Sequence, residues 1–178
     1  MKTYVLILSI IIFIVSLAGF TSAGHDHMVI PYETQALGSK VSMPIPAGGD
    51  LRHHITSDDP PYKTWELWPG KGKMYAGTEP HGVLLTTYVN EIALKSIDKK
   101  NGFKNNSIIV KENYTPEKKL AAVTVMYKVK GYNAEVGDWF WVKYDPNFEV
   151  LAEGKVKGCI ACHGSAKNND YVFTGKVK

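Results

Sequence analysis

Residues 107–129 of the chain, SIIVKENYTPEKKLAAVTVMYKV, predict two strands joined by a short turn. The two halves of this segment, residues 107–114 and 119–129, are rich in β-branched and aromatic side chains, which favour strands. Between them lies TPEK, in which the proline fixes the backbone of a turn. Two strands joined so closely pair as an antiparallel hairpin.

Further strands are predicted on both sides of this hairpin. GVLLTTYVN precedes it at residues 82–90 and has the same strand-favouring composition. WFWVKY at residues 139–144 and FEVLAEGKV at residues 148–156 follow it, separated by the turn DPN. Successive strands joined by short turns form an antiparallel meander. We therefore expect a mainly β fold of the α+β type, with short helices at the periphery of the sheet.

One of these helices is predicted over NEIALKSIDKK, residues 90–100. Asn90 is a residue type that caps helix N-termini, and Gly102 follows at a position typical of a helix end. No internal repeat or low-complexity tract interrupts the pattern along the rest of the chain.

The N-terminal residues predict export. A short positive start is followed by an almost wholly apolar run and by the small residues Thr21, Ser22 and Ala23, the pattern of a cleaved signal peptide over residues 1–23. Retention of that segment as a membrane anchor is the alternative. Residues 24–60 are broken by proline and glycine, which predicts an extended arm, with room for a short helix, that wraps the domain.

Composition excludes several classes of protein. The chain has 178 residues, 44% hydrophobic and 21% charged, which is ordinary for one globular domain and unlike a disordered chain. Its formal net charge is +4, carried by scattered lysines, and Arg52 is the only arginine. A nucleic-acid-binding protein usually has arginine clusters or a basic stripe, so no nucleic-acid partner is expected.

The only two cysteines of the chain lie together, in the motif Cys159-Ile160-Ala161-Cys162-His163. A redox-active disulfide usually lies in a βαβ context that this chain lacks. A zinc site needs more ligands, for which His81 or the neighbouring pair His53 and His54 are candidates. CxxCH is also the motif of covalent haem attachment, in which both thiols bond to the porphyrin and the histidine binds the iron. Since haem c is attached outside the cytoplasm, the export signal favours this third interpretation.

A haem iron has a second axial position, which a further residue of the chain can occupy. Electron-carrying cytochromes c usually supply a methionine downstream of the motif, and no methionine follows His163. Met126 precedes it on an apolar strand and is interpreted as core. An open distal position is therefore predicted, which indicates binding or oxidation of small molecules more than simple electron transfer.

Three segments resemble the cytochrome P-460 family, which includes the cytochromes c′-beta. They are WELWPGKGKMYAGTEPHGVLLTTYVNEIALKSI, IIVKENYTPEKKLAAVTVMYKVKGYNAEVGDWFWVKYD and EGKVKGCIACHGSAKNNDYVFTG, in that order. The resemblance defines a haem domain over residues 61–178. It implies a largely antiparallel β fold, a homodimer and one five-coordinate haem c bound by Cys159, Cys162 and His163.

The resemblance also implies two possible activities. Cytochromes P-460 carry a lysine linked to the porphyrin and oxidise hydroxylamine through NO-bound intermediates, passing electrons to a soluble cytochrome. Cytochromes c′-beta lack that link and bind NO or similar gases without turnover. By its distance before the motif, Lys95 is the candidate cross-link. Glu112, on a strand face with Ile108 and Val110, is the candidate pocket carboxylate that accepts protons. We expect a periplasmic oxidase of hydroxylamine, with the gas-binding protein as the alternative.

Overall fold

The computed structural model describes residues 42–178 of the chain. The predicted signal peptide and residues 24–41 of the predicted arm lie outside the described residues. The described part contains three α-helices, α1 (Gly48–Thr56), α2 (Glu91–Lys99) and α3 (Lys157–His163). Its seven strands are β1 (Glu66–Leu67), β2 (Tyr75–Ala76), β3 (Leu84–Val89), β4 (Ile108–Tyr114), β5 (Leu120–Lys128), β6 (Trp139–Tyr144) and β7 (Val150–Gly154).

All seven strands belong to one antiparallel sheet. Its order is β1-β3-β4-β5-β6-β7, and β2 pairs with β3 beside β1. From β3 onward each strand is hydrogen-bonded to the next strand along the chain, so the predicted meander is confirmed. The short strands β1 and β2 were not predicted, because two residues are too few to show a strand period. No helix described between residues 42 and 178 is long and apolar enough to cross a membrane.

Strand alternation divides the sheet into two faces. Ile108 and Val110 of β4 pack in a first core with Tyr127 and Val125 of β5, which lie opposite them in register. Ile109 points to the second face, as side chains alternate along a strand, and packs in a second core with residues of α2 and of the C-terminal segment. The first face is therefore covered by packed side chains along its length, whereas the second has a packed core at only one end.

Part of the predicted arm is helical. Within residues 42–60, α1 inserts Leu51 and Ile55 into the first core, and both side chains are completely buried. The short helix for which the prediction left room is therefore present in this part of the chain. The bounds of α1 could not be predicted from composition, because the helix is only nine residues long and lies among glycines and prolines.

The helix predicted after β3 is confirmed as α2. Asn90 is its N-cap, and the Asn90 side chain accepts a hydrogen bond from the Ala93 amide at 2.9 Å. The helix ends at Lys99. The next residue, Lys100, adopts a left-handed conformation with φ of 54°. The Asn90 side-chain oxygen also accepts from the Ile108 amide at 3.0 Å, so one residue fixes both the start of α2 and the start of β4.

The C-terminal segment is fastened to the sheet by Asp170. This carboxylate is 3% exposed and accepts hydrogen bonds from the Lys128 ammonium at 2.6 Å and from the Phe103 amide at 2.7 Å. The Asp170 carbonyl also accepts a hydrogen bond from the Trp139 indole at 3.0 Å. Because Lys128 and Trp139 are paired at the adjoining ends of β5 and β6, these contacts hold the chain after α3 against that end of the two strands.

We expect Asp170→Asn to lower the free energy of unfolding by about 3 kcal/mol, since it leaves the Lys128 ammonium without its charged partner in a mostly buried site. Urea denaturation of the two proteins measures this. Glu91→Gln is the matched control, because it removes one charge of the exposed pair between Glu91 and Lys95 and should cause no measurable change. Equal losses in the two variants would contradict the anchoring role of Asp170.

Candidate functional site

A cavity of about 580 Å³ lies on the second face of the sheet. One wall consists of side chains from neighbouring strands, in rows set by the register of pairing. The rows are Ile109, Met126 and Trp141, then Lys111, Thr124 and Lys143, then Asn113 and Ala122. The opposite wall comes from α3, from residues 79–83 before β3 and from residues 172–174. Apolar residues form the larger part of this lining, and its polar side chains include those of Lys111, Thr124 and Lys143.

Both cysteines of the CxxCH motif line this cavity. Cys159 and Cys162 are three residues apart on α3, which places their side chains on neighbouring positions of one helix face. Neither forms a disulfide. Burial raises the pKa of the Cys159 thiol, so it is held as the neutral thiol at neutral pH. The structure therefore offers two free thiols to one ligand.

His163 ends α3 and is held in one tautomer. Its Nδ1 lies 2.6 Å from the Tyr171 carbonyl oxygen, which can only accept, so Nδ1 carries the proton. The lone pair is then on Nε2, the arrangement that metal-binding histidines use. Burial lowers the pKa of His163, which keeps the imidazole neutral. The ring packs against Trp141 and Phe173, at centroid distances of 4.7 and 5.3 Å.

These features agree with a comparison against protein families. The family model of cytochrome P460 matches residues 61–174. The chain belongs to the cytochrome P460 family. It is therefore a haem-binding cytochrome. A search of the curated proteins found no match.

The cavity residues suit a haem. Its apolar walls match a flat apolar macrocycle, and its volume lies within the roughly 300–1,000 Å³ of cofactor sites. The Trp141 indole N–H is buried and has no acceptor within residues 42–178, as expected of a donor that faces a bound group. The zinc alternative has no support in this part of the chain, where no three histidine, cysteine, aspartate or glutamate side chains converge.

The charges of the cavity side chains also suit a haem. Lys111 and Lys143 lie on either side of Thr124 in one row of the cavity wall. Neither lysine makes an ion pair within the described residues. Burial lowers the pKa of Lys111 to about 8, because the charged form is poorly solvated there. The carboxylate among the lining residues is Glu79, which is exposed. An anionic group such as a haem propionate would relieve this excess of positive charge.

The structure places Glu112 outside the cavity. Its side chain points to the first face of the sheet, is 3% exposed, and accepts hydrogen bonds from Tyr62 at 2.9 Å and Tyr114 at 2.6 Å. The Lys63 ammonium lies 3.9 Å from the same carboxylate. The apolar face that Glu112 shares with Ile108 and Val110 is the first core and not the cavity. The structure therefore shows Glu112 as a buried carboxylate satisfied by tyrosines.

Lys95 also lies away from the cavity. It is on the solvent side of α2, and its side chain is 65% exposed and paired with Glu91 one turn earlier. The structure thus brings Cys159, Cys162 and His163 together and leaves both Lys95 and Glu112 apart from them. The lysines that line the cavity from the sheet are Lys111 and Lys143.

Among the cavity residues, the sequence analysis did not single out Lys111 and Asn113, and it named His81 only as a candidate zinc ligand. Lys111 and Asn113 could have been found from the same alternation of side chains along β4 that drew attention to Glu112. On β4 the opposite face carries Ile109, Lys111 and Asn113, and a mixed polar and apolar face on a strand between two others is typical of a site. His81 gave no such signal, because it lies in a loop and its neighbours appear only in the fold.

Glu112→Gln should lower stability and leave the haem spectrum unchanged. Glutamine has one acceptor oxygen, so the hydroxyl of Tyr62 or Tyr114 loses its partner, at a cost of about 1–3 kcal/mol. Urea denaturation and the absorption spectrum of the same samples test both parts. Glu117→Gln, at an exposed turn, is the control and should change neither. A shifted spectrum in Glu112→Gln would return Glu112 to the site.

Proposed function

We propose that the protein is a periplasmic cytochrome with a single haem c, which oxidises hydroxylamine at a distal position open to small ligands. Cys159 and Cys162 would hold the haem through thioethers, and His163 would bind the iron through Nε2. The observation that carries this proposal is the convergence of both thiols and a tautomer-fixed imidazole on one apolar cavity. When bound, the haem supplies the redox-active iron on which a nitrogen ligand exchanges electrons.

Hydroxylamine oxidation is a balanced source of electrons. Conversion of two hydroxylamine molecules into one nitrous oxide and one water releases four electrons and four protons. The electrons would leave one at a time to a soluble cytochrome, the partner that we propose. The chain contributes a cavity walled by Ile109, Met126 and Val172, which excludes bulk water from the reacting nitrogen. Protons would leave through the polar end of the cavity, where Lys111, Lys143 and Glu79 lie.

The cavity also indicates which lysine to test for a porphyrin link. The hydroxylamine-oxidising branch of the family is distinguished by that link, and Lys111 is the half-buried lysine on the cavity wall. Its lowered pKa of about 8 leaves part of the amine uncharged and nucleophilic near neutral pH. Exchange of one amine N–H and one ring C–H for a C–N bond is a two-electron oxidation, for which a peroxide would be the acceptor. We propose Lys111 for this role in place of Lys95.

The proposed homodimer has support at one edge of the sheet. β7 is the last strand in the sheet order, so one side of its backbone is unpaired within the described residues. Leu151 on this strand is 58% exposed and Val150 is 41% exposed. Apolar side chains on an edge strand favour pairing with another chain. A second copy of this chain is the partner that we propose.

Gas binding without turnover is the second candidate function. It is favoured by the position of Glu112, because the carboxylate expected to accept protons lies on the other face of the sheet. A mostly apolar cavity binds NO or a similar uncharged gas without any proton acceptor. In this case the protein would have the same haem attachment and no link to Lys111.

Covalent attachment and turnover can be measured on the same purified protein. After denaturation and extraction, the wild type should keep its haem and the double variant Cys159→Ser, Cys162→Ser should lose it. With hydroxylamine and an oxidised soluble cytochrome c, the wild type should reduce two acceptor molecules for each hydroxylamine consumed. Retained haem without acceptor reduction would favour the gas-binding function, and haem lost from the wild type on denaturation would refute the haem c assignment.

The spectrum of the reduced protein should separate the two lysines. If Lys111 carries the link, Lys111→Ala should keep its thioether-bound haem and move the Soret band to the position of an ordinary haem c. Lys95→Ala is the matched control and should leave the band unchanged, because its side chain is exposed on α2. A red-shifted band that disappears only in Lys95→Ala would reverse the assignment.

A further inference from the structure

The C-terminal segment that carries the CxxCH motif is strongly basic. Between residues 155 and 178 the charged side chains are those of one aspartate and of the lysines Lys155, Lys157, Lys167, Lys176 and Lys178. The aspartate is Asp170, which is buried and paired with Lys128. All five lysines are exposed, and none of them makes an ion pair within residues 42–178. The positive charge of this segment is therefore presented to solvent.

The exposed side of α3 combines this charge with small side chains. Its exposed residues are Lys157, Gly158, Ala161 and Cys162, whose spacing places them on one side of the helix. A Cβ atom at Gly158 would meet nothing within 4 Å, so packing among the described residues does not require a glycine there. This side of α3, called the α3 face below, is low enough for another molecule to approach closely.

The α3 face lies over the cavity. Gly158 and Cys162 line the cavity and are also exposed to solvent. Burial raises the pKa of the Cys159 thiol, and the charge of Lys143 opposes that rise, so the Lys143 ammonium lies close to the motif. A haem held by Cys162 would therefore meet the solvent at a basic surface made of small side chains.

The charge of the α3 face restricts what can dock on it. A second copy of this chain would bring lysines against lysines, and like charges across an interface oppose binding. An anionic lipid surface matches the charge, but helices that bind such surfaces bury large apolar side chains in them, and those on the α3 face are small. A protein with an acidic surface matches both the charge and the shape.

We propose that the α3 face, with Lys155 and Lys167 beyond its two ends, is the docking surface for a one-electron redox protein whose own docking surface is acidic. The proposal rests on the electron transfer of the proposed function and deepens it, by naming the charge of the partner. One electron passes from ferrous iron to the oxidised metal centre of the partner, and no bond forms or breaks. Opposite charges speed the encounter, and the small side chains let the two redox centres come close.

The test is electron transfer from the reduced holoprotein, freed of dithionite, to two probe proteins in a stopped-flow instrument. Plastocyanin is the acidic probe, and a basic cytochrome c is the other. With plastocyanin, the second-order rate constant should fall about tenfold between about 10 and 300 mM salt, because salt screens the attraction. With the basic cytochrome c, the rate constant should rise over the same range.

Single charge reversals locate the docking surface. Lys157→Glu and Lys167→Glu should each lower the rate constant for plastocyanin about threefold or more at low salt, and the difference should vanish at high salt. Arg52→Glu is the matched control, because it changes the net charge equally but lies on α1, which packs on the first face of the sheet. Carbon monoxide should bind to the ferrous haem of all three variants as it does in the wild type, which separates surface charge from damage to the cavity.

Three results would overturn the proposal. Equal effects of Lys157→Glu and Arg52→Glu would show that net charge acts without a docking surface on α3. A rate constant for plastocyanin that does not fall with salt would exclude an acidic partner. Sedimentation of the wild type with phosphatidylglycerol vesicles, lost in Lys157→Glu while the rate constant for plastocyanin is unchanged, would assign the α3 face to a membrane surface.

The docking surface and the proposed function fail in different measurements. The rate constants start from the reduced protein and need no hydroxylamine, so a protein without hydroxylamine turnover would overturn the proposed function while the same rate constants still decide docking on α3. Intact turnover together with equal effects of Lys157→Glu and Arg52→Glu would overturn the docking surface alone.

Discussion

The buried contact between Asp170 and Lys128 is the constraint on which the functional half of the structure depends. It holds the chain just after α3, and the next residue, Tyr171, supplies the carbonyl that fixes the His163 ring. Asp170 and Tyr171 both adopt left-handed backbone conformations, with φ of 54° and 65°, which turns that carbonyl back toward His163. An ion pair in the fold therefore determines which nitrogen of the histidine is free. Stability and ligand geometry are coupled at this point, because a segment released from the sheet would also release the imidazole.

The two faces of the sheet divide packing from chemistry. The first face is filled by α1 and by aromatic side chains, and its one buried carboxylate, Glu112, is satisfied by the tyrosines Tyr62 and Tyr114. The second face has a core at one end and the cavity at the other, so the row of Ile109, Met126 and Trp141 belongs to both. This arrangement lets a single sheet carry a stable core without filling the space that a cofactor needs.

The sequence allowed the sheet to be predicted because its strands are long, close together and joined by short turns. The order of the strands from β3 to β7 follows from the meander, and the Asn90 cap follows from one residue type. The site was predicted only where a contiguous motif carries it, at Cys159, Cys162 and His163. Lys95 and Glu112 were chosen by distance along the chain and by the apolar neighbours of a strand residue. Neither criterion says which side of a sheet is packed and which is left open.

The contacts of His81 show why cavity residues that lie in loops can be identified only when the fold is known. Asn113 orients His81 through a side chain 32 residues away, and its own orientation depends on the carbonyl oxygens of two neighbouring strands. Each contact is ordinary, and together they fix one tautomer on each side of the same cavity. A structural histidine needs only a satisfied polar atom, and the contact between Asn113 and Nδ1 provides it. That contact also leaves the lone pair of His81 on Nε2, in the same cavity as His163, whose ring centroid lies 6.0 Å away.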